Sequence, residues 1–222
     1  NFAKKEIVKI LRINEEKIHV IYLGIDKNYF NFEENLHHIK NFEYKNYIIS
    51  VSSCVKYHNI INLLKAFKLI KQKNNEDLRF VLVMQILDKD YYFQINDFVT
   101  KNFKSNEIMF FNNLDNKYLA NLYRNATFYI FSSYCEVFGL TSLEAMSQGC
   151  PVIISKKSAL PEINDNAAEY FDPDDVSQIK ESMNKVLLNK DYRSELIDKG
   201  KIHCQRFSWD KTVSDTLKIL KT

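Results

Sequence analysis

The sequence predicts an α/β domain built on an open, doubly wound parallel sheet. Apolar runs typical of strands alternate along the chain with segments whose apolar residues recur at helical spacing. Several runs, among them YIIS at 47–50 and FVLV at 80–83, are apolar without alternation, which is typical of strands covered on both faces. At 222 residues the chain is long enough for one such domain with a large core.

Apolar runs predict the strands, and amphipathic segments between them predict the helices. The predicted strands are 17–23, 47–53, 79–85, 108–111, 127–131, 151–155 and 168–171. The predicted helices are 60–70, 90–103, 115–125, 140–148 and 175–189. In the first helix the apolar residues from Ile60 to Ile70 form one stripe, and Asn59 is placed to cap it.

The ends of the chain differ from its alternating centre. The polar stretch 31–46 predicts an irregular connection, and 191–221 predicts helices only, interrupted near Phe207, where Ser208 can cap the last helix. We see no linker or internal repeat. We therefore expect one domain over 1–222, with an N-terminal segment 1–45 and C-terminal helices 191–222.

Composition favours a cytoplasmic protein without a nucleic-acid partner. The net charge is only +3, and residues of both signs are interspersed. The four cysteines are scattered, without the spacing of a zinc site, which indicates reduced thiols. The sequence contains no signal peptide and no apolar run of membrane-spanning length.

The turn at 132–141 is the strongest candidate for a binding site. Ligands of such sheets bind beyond the carboxyl ends of the strands, and this turn joins a predicted strand to a predicted helix. Gly139 allows a ligand to approach the main chain, and the helix start offers free N–H groups to a phosphate. Glu136 and Glu144 lie on either side, which suits an elongated ligand with central phosphates, such as a nucleotide-sugar.

A purely structural interpretation of the same residues is also available. Residues 141–144, Thr-Ser-Leu-Glu, fit a capping box in which Glu144 folds back on the helix start. Gly139 would then be an ordinary turn residue, and Glu136 a solvated acid. The motifs of a dinucleotide site, GxGxxG, and of a P-loop, GxxxxGK[ST], are absent from the sequence.

Four stretches, taken in order, resemble the C-terminal, donor-binding domain of GT-B glycosyltransferases, in the large retaining group numbered family 4. They are KIHVIYLGIDKNYF at 17–30, YIISVSSCVKYHNIINLLKAF at 47–67, the long run from IMFF at 108 to PDD at 175, and FSW at 207–209. The resemblance implies a Rossmann-like lobe that binds a nucleotide-sugar donor. It implies neither a metal nor a cofactor.

The resemblance assigns roles to the matched residues. Glu136 would contact the donor sugar as the catalytic candidate, and Glu144 would bind the ribose hydroxyls. The main-chain amides of the helix start would hold the diphosphate, and the segment from Asn112 would lie near the base. The residues concerned in these last two roles are Phe138, Gly139, Leu140 and Thr141 for the diphosphate, and Asn113 and Leu114 for the base.

This sequence departs from the family where the diphosphate is neutralised. Members usually carry Gly-Arg after the first strand and a Lys before the Asn that opens its helix. Here Ser52-Ser53 and His58-Asn59 occupy those positions. We expect Ser53, His58 and Lys56, with Asn59 beside them, to take over this part of the donor site.

The resemblance also implies a preceding acceptor-binding domain, which this sequence does not contain. That domain is the expected partner and the route of any peripheral membrane association. The alternative to an enzyme is a non-catalytic GT-B lobe retained for binding or assembly, in which the lost cations indicate lost chemistry.

Overall fold

The computed structural model describes residues 1–26, 42, 44–72 and 77–221. Its strands are β1 (Tyr47–Cys54), β2 (Arg79–Ile86), β3 (Ile108–Phe111), β4 (Tyr129–Phe131), β5 (Val152–Ser155) and β6 (Glu169–Phe171). Its helices are α1 (Phe2–Leu11), α2 (Ile60–Lys71), α3 (Lys89–Asn102), α4 (Asn116–Asn125), α5 (Leu140–Ser147), α6 (Leu160–Asn164), α7 (Val176–Leu188), α8 (Lys190–Cys204) and α9 (Trp209–Leu220). Short 3-10 turns occupy Glu15–Lys17, Lys56–His58 and Asp165–Ala167.

The six strands form one parallel sheet in the order β3-β2-β1-β4-β5-β6. From β1 the chain proceeds outward through β2 and β3, and it then returns to β4 on the other side of β1. This reversal creates a crevice beyond the carboxyl ends of β1 and β4, where ligands of doubly wound sheets bind. The predicted fold class is confirmed.

Successive strand residues supply two cores, one on each face of the sheet. Ile49 and Tyr129 belong to the cluster that includes residues of α4, α5 and α6, whereas Ile48 and Ile130 belong to the cluster that includes residues of α2 and α7. Both faces are therefore covered, which explains why the strand sequences are continuously apolar.

The predicted strand 17–23 is wrong. This segment begins with the end of a 3-10 turn and then runs without regular structure to Ile25, which forms one isolated bridge to Ser208. The Ile25 amide donates to the Phe207 carbonyl at 3.2 Å. A Cβ atom on Gly24 would overlap the main chain of Ser208 and Trp209. The segment therefore packs against the beginning of α9 instead of joining the sheet.

Other local expectations had mixed outcomes. Ser208 caps α9 as predicted, because its hydroxyl accepts from the Lys211 amide. Asn59 does not cap α2 with its side chain; it has left-handed dihedrals, with φ 54°, and its amide group donates to the Pro173 carbonyl at 2.7 Å. Most of the predicted connection 31–46 lies outside the described residues. Among the described residues, no helix is both long and apolar enough to cross a membrane.

Candidate active site

A pocket of about 340 Å³ opens where the carboxyl ends of β1, β2 and β4 meet. Eight of the predicted site residues line it: Ser53, His58, Asn113, Leu114, Glu136, Gly139, Leu140 and Thr141. Four do not line it: Lys56, Asn59, Phe138 and Glu144. The structure thus places most of the predicted site around one cavity, although those residues come from three separate strand-to-helix connections.

The start of α5 forms one wall of this pocket. Gly139 has φ +82°, a conformation that favours glycine, and no side chain caps the helix. The hydroxyl of Ser142 donates to the Gly139 carbonyl, and the hydroxyl of Thr141 pairs with that of Tyr129 at 2.8 Å. The capping-box interpretation is therefore wrong. The helix start leaves its first amides available for an anion.

The connection that carries Glu136 is fixed to the connection after β1. The Ser132 hydroxyl lies 2.7 Å from the His58 carbonyl, and the Tyr134 amide donates to the Tyr57 carbonyl at 2.8 Å. On the other side, the Ser158 hydroxyl donates to the Glu136 carbonyl at 2.6 Å and accepts from the Glu136 amide at 3.1 Å. The main chain of Glu136 is thus held from two sides.

His58 and Glu136 form a close pair at the pocket wall. The distance between His58 Nε2 and Glu136 Oε1 is 3.1 Å, and that between His58 Nδ1 and the Ser53 carbonyl oxygen is 2.6 Å. The His58 side chain is 8% exposed to solvent, and the Glu136 side chain is 21% exposed. Glu136 is therefore not the solvated loop acid of the structural interpretation.

Glu144 is half-buried one turn into α5. Burial, together with the nearby charge of Asp26, raises the pKa of its carboxyl group from 4.5 to about 7. None of the hydrogen bonds between described residues uses this carboxyl group. It therefore has acceptor capacity that a ligand hydroxyl could use, although it lies outside the pocket lining.

The other residues outside the lining have evident structural environments. The Phe138 ring packs against Phe207, with centroids 5.7 Å apart, so that only its main chain is available to a ligand. The Asn59 side chain joins α2 to the turn at Pro173. Lys56 is exposed on the 3-10 turn. Among the described residues that line the pocket there is no lysine or arginine.

Sequence reasoning missed several contributors to the site. Gln85 pairs in register with Ser53, and both lie near the carboxyl ends of neighbouring strands, a position that could have identified Gln85. Tyr129 is fully buried, and burial raises the pKa of its hydroxyl well above the ordinary value, so it remains a neutral phenol beside Thr141. Ser158 carried no sequence signal, because its partner Glu136 is 22 residues away.

Comparison with known proteins establishes the family of the chain. Residues 31–203 match the family described as glycosyl transferases group 1. The chain belongs to this family. Over 228 residues it is 25% identical to O-antigen chain mannosyltransferase B of Escherichia coli, covering 100% of this chain and 58% of that protein. The chain spans a little over half the length of the first curated relatives that it matches.

Solved structures of other proteins show the same fold. A glycosyltransferase from Rickettsia africae superposes with a TM-score of 0.86 at 20% identity, covering 100% of this chain and 61% of that one. An E. coli structure described as trehalose-6-phosphate bound with UDP-2-fluoro glucose superposes with a TM-score of 0.75 at 11% identity, covering 88% of this chain and 50% of that one. The fold is that of one lobe of a GT-B glycosyltransferase.

Proposed function

We propose that this chain is the donor-binding part of a retaining glycosyltransferase that moves a sugar from a nucleoside-diphosphate sugar to a hydroxyl acceptor. The observation that carries the proposal is the uncapped start of α5 beside Gly139, inside the pocket and between Glu136 and Glu144. The E. coli neighbour solved with UDP-2-fluoro glucose supports a nucleotide-sugar as the donor class.

In the proposed complex the diphosphate lies against the amides of residues 138–141. The charge on this group grows as the bond to the sugar breaks, so fixed N–H dipoles aimed at it stabilise the transition state more than the ground state. Ser53, which also lines the pocket, adds a hydroxyl donor. We propose that these donors operate without a metal ion or a cofactor.

The two acids have separate roles in this proposal. Glu136 accepts hydrogen bonds from the sugar and is the catalytic candidate, whereas Glu144 accepts them from the ribose. Asn113, with φ 49°, and Leu114 line the pocket, and we place the base near them. Because Glu144 does not line the pocket, the proposed contact places the ribose beyond the lining residues, next to α5.

The acceptor and the biological setting follow from the relatives and remain proposals. The name of the E. coli relative refers to O-antigen chains, and we propose a role in glycan, lipopolysaccharide or capsule assembly. A separate acceptor-binding domain would supply the other wall of the cleft and any peripheral membrane contact. We propose a cytoplasmic location for the reaction.

The test is calorimetric titration of the protein with UDP, GDP and ADP, followed by their sugar-linked forms. We expect one nucleoside diphosphate to bind and its sugar-linked form to bind at the same site. Retention would be established by NMR of the anomeric configuration in the product of the active enzyme. If a folded protein binds none of the three at millimolar concentration, the lack of lysine and arginine among the described pocket residues favours the non-catalytic lobe instead.

A further inference from the structure

The hydrogen-bond partners of His58 define its protonation state. A carbonyl oxygen can only accept, so the nitrogen 2.6 Å from the Ser53 carbonyl, Nδ1, must carry a proton. In a neutral imidazole Nε2 would then be an acceptor, facing a carboxylate that is also an acceptor. A proton must therefore lie between Nε2 and Glu136 Oε1. With a proton on each ring nitrogen, His58 is an imidazolium, and its partner is the Glu136 carboxylate.

The surroundings of the ring fix its orientation. The Tyr57 and Phe131 rings contact the imidazole with centroids at 4.5 and 5.2 Å, both nearly edge-on. Among the described residues, the titratable neighbours in contact with the imidazole are Glu136 on the connection after β4 and Tyr57 on the 3-10 turn. The side chain is 8% exposed, so rotation away from Ser53 and Glu136 would require the surrounding loops to move.

Both N–H groups of His58 are consequently engaged within the protein. Neither is available to a diphosphate while the pair is intact, even though the position corresponds to the family lysine. Glu136, by contrast, uses Oε1 for the imidazolium, and none of the hydrogen bonds between described residues uses Oε2. Its main chain is held by Ser158, and its carboxylate is held by His58.

We propose that His58 is a positioning residue for Glu136 and not a ligand of the diphosphate. This inference rests on the proposed function: the imidazolium holds the carboxylate in one orientation, so that Oε2 can accept a hydrogen bond from a hydroxyl of the donor sugar. The diphosphate is then held by main-chain amides and Ser53 alone. With histidine in place of the family lysine, residue 58 thus orients the carboxylate that binds the sugar and does not bind the diphosphate.

A double-mutant cycle in the full-length protein separates the two roles. His58→Asn, Glu136→Gln and the double variant are titrated with UDP and UDP-glucose, and with GDP and GDP-mannose. We expect each single change to weaken binding of the nucleotide-sugar about tenfold, as expected for one charge-assisted hydrogen bond, and the double change to add nothing. Binding of the nucleoside diphosphate alone should change less than about twofold. An equal loss for both ligand types in His58→Asn, or additive effects in the double variant, would overturn the inference.

Side-chain NMR tests the pair without any nucleotide. In the wild-type protein at pH 7 we expect both nitrogens of His58 to be protonated, with the signal assigned by its loss in His58→Asn. In Glu136→Gln we expect only Nδ1 to remain protonated, whereas the same substitution at exposed Glu181 should change nothing. A neutral His58 in the wild type would refute the pairing. If the pair is seen but no nucleotide binds, the proposed function and the sugar-binding role fail together, and the pairing alone stands.

Discussion

Replacing the Glu144 carboxyl group should stabilise the protein at alkaline pH. The folded protein raises the pKa of this group from 4.5 to about 7, first through burial and then through the charge of Asp26. The folded state therefore holds the proton more tightly than the unfolded chain does. The contribution of the protonated Glu144 to the free energy of unfolding is fully present below pH 4.5, and it is lost as the pH rises through about 7.

The magnitude follows from the two values. The interval from 4.5 to about 7 corresponds to about 3 kcal/mol of unfolding free energy, at about 1.4 kcal/mol for each pH unit. Glutamine has nearly the same shape but cannot ionise. Glu144→Gln should therefore be about as stable as the wild type at pH 4.5 and about 3 kcal/mol more stable at pH 8.

Urea unfolding at a series of pH values from 4.5 to 8 measures this difference directly. The matched control is Glu181→Gln, the same chemical change at an exposed position of α7, for which the difference from wild type should be independent of pH. Asp26→Asn should lower the pH at which the decline in stability ends and should make the total loss smaller. An equal effect of Glu144→Gln at both ends of the series would refute the assignment of an ionised, desolvated carboxylate.

The same variant tests the proposed ribose contact. If the carboxylate accepts hydrogen bonds from ribose hydroxyls, Glu144→Gln should lower the affinity for a nucleoside diphosphate while raising stability. This combination is the usual sign of a group retained for binding at the expense of stability. Unchanged affinity would remove Glu144 from the site.

Three further outcomes are expected. Gly139→Ala should lower the free energy of unfolding by about 1–2 kcal/mol, because a φ of +82° disfavours a side chain, and it should abolish nucleoside diphosphate binding. The control Gly149→Ala, at φ +72°, should lower the free energy of unfolding by a similar amount, measured by urea unfolding, and leave binding intact. Ser158→Ala removes both hydrogen bonds to the Glu136 main chain. Calorimetry should then show a lower affinity for the nucleotide-sugar but not for the nucleoside diphosphate. The control Ser177→Ala, at an exposed position, should change neither affinity. In thiol titration with a disulfide reagent, exposed Cys135 should react first, because burial raises the pKa of the other three thiols, to about 11 for Cys54 and Cys204. Cys135 directly precedes Glu136, so the nucleotide-sugar should slow its reaction. A second fast thiol would contradict the burial of the other three.

The sheet could be predicted because its signal is local. Strands covered on both faces carry apolar residues at successive positions, so the apolar runs of β1, β2 and β5 are recognisable from their own residues. The segment 17–23 has a similar apolar content, but its partners are near Phe207, at the other end of the chain. A contact over such a separation has no trace in the local pattern, and the segment was therefore predicted as a strand.

The candidate site shows the same division. Gly139 could be predicted as a special backbone position, since glycine in a strand-to-helix turn indicates its own conformation. The interaction between His58 and Glu136 joins residues 78 apart and required the two connections to be placed side by side. Asn59 was predicted as a cap from its residue type, but the 3-10 turn before it gives it left-handed dihedrals and turns its side chain toward Pro173.

The contact of Gly24 and Ile25 with the start of α9 has a consequence for biosynthesis. On the ribosome, residues 1–25 emerge well before Phe207 is synthesised, so they cannot take their final position until the chain has been extended past Phe207. Asp26 directly follows this contact, and its charge contributes to the acidity of Glu144. A nascent or proteolytically shortened chain that ends before Phe207 would thus carry a Glu144 of different acidity, even if its sheet were already assembled.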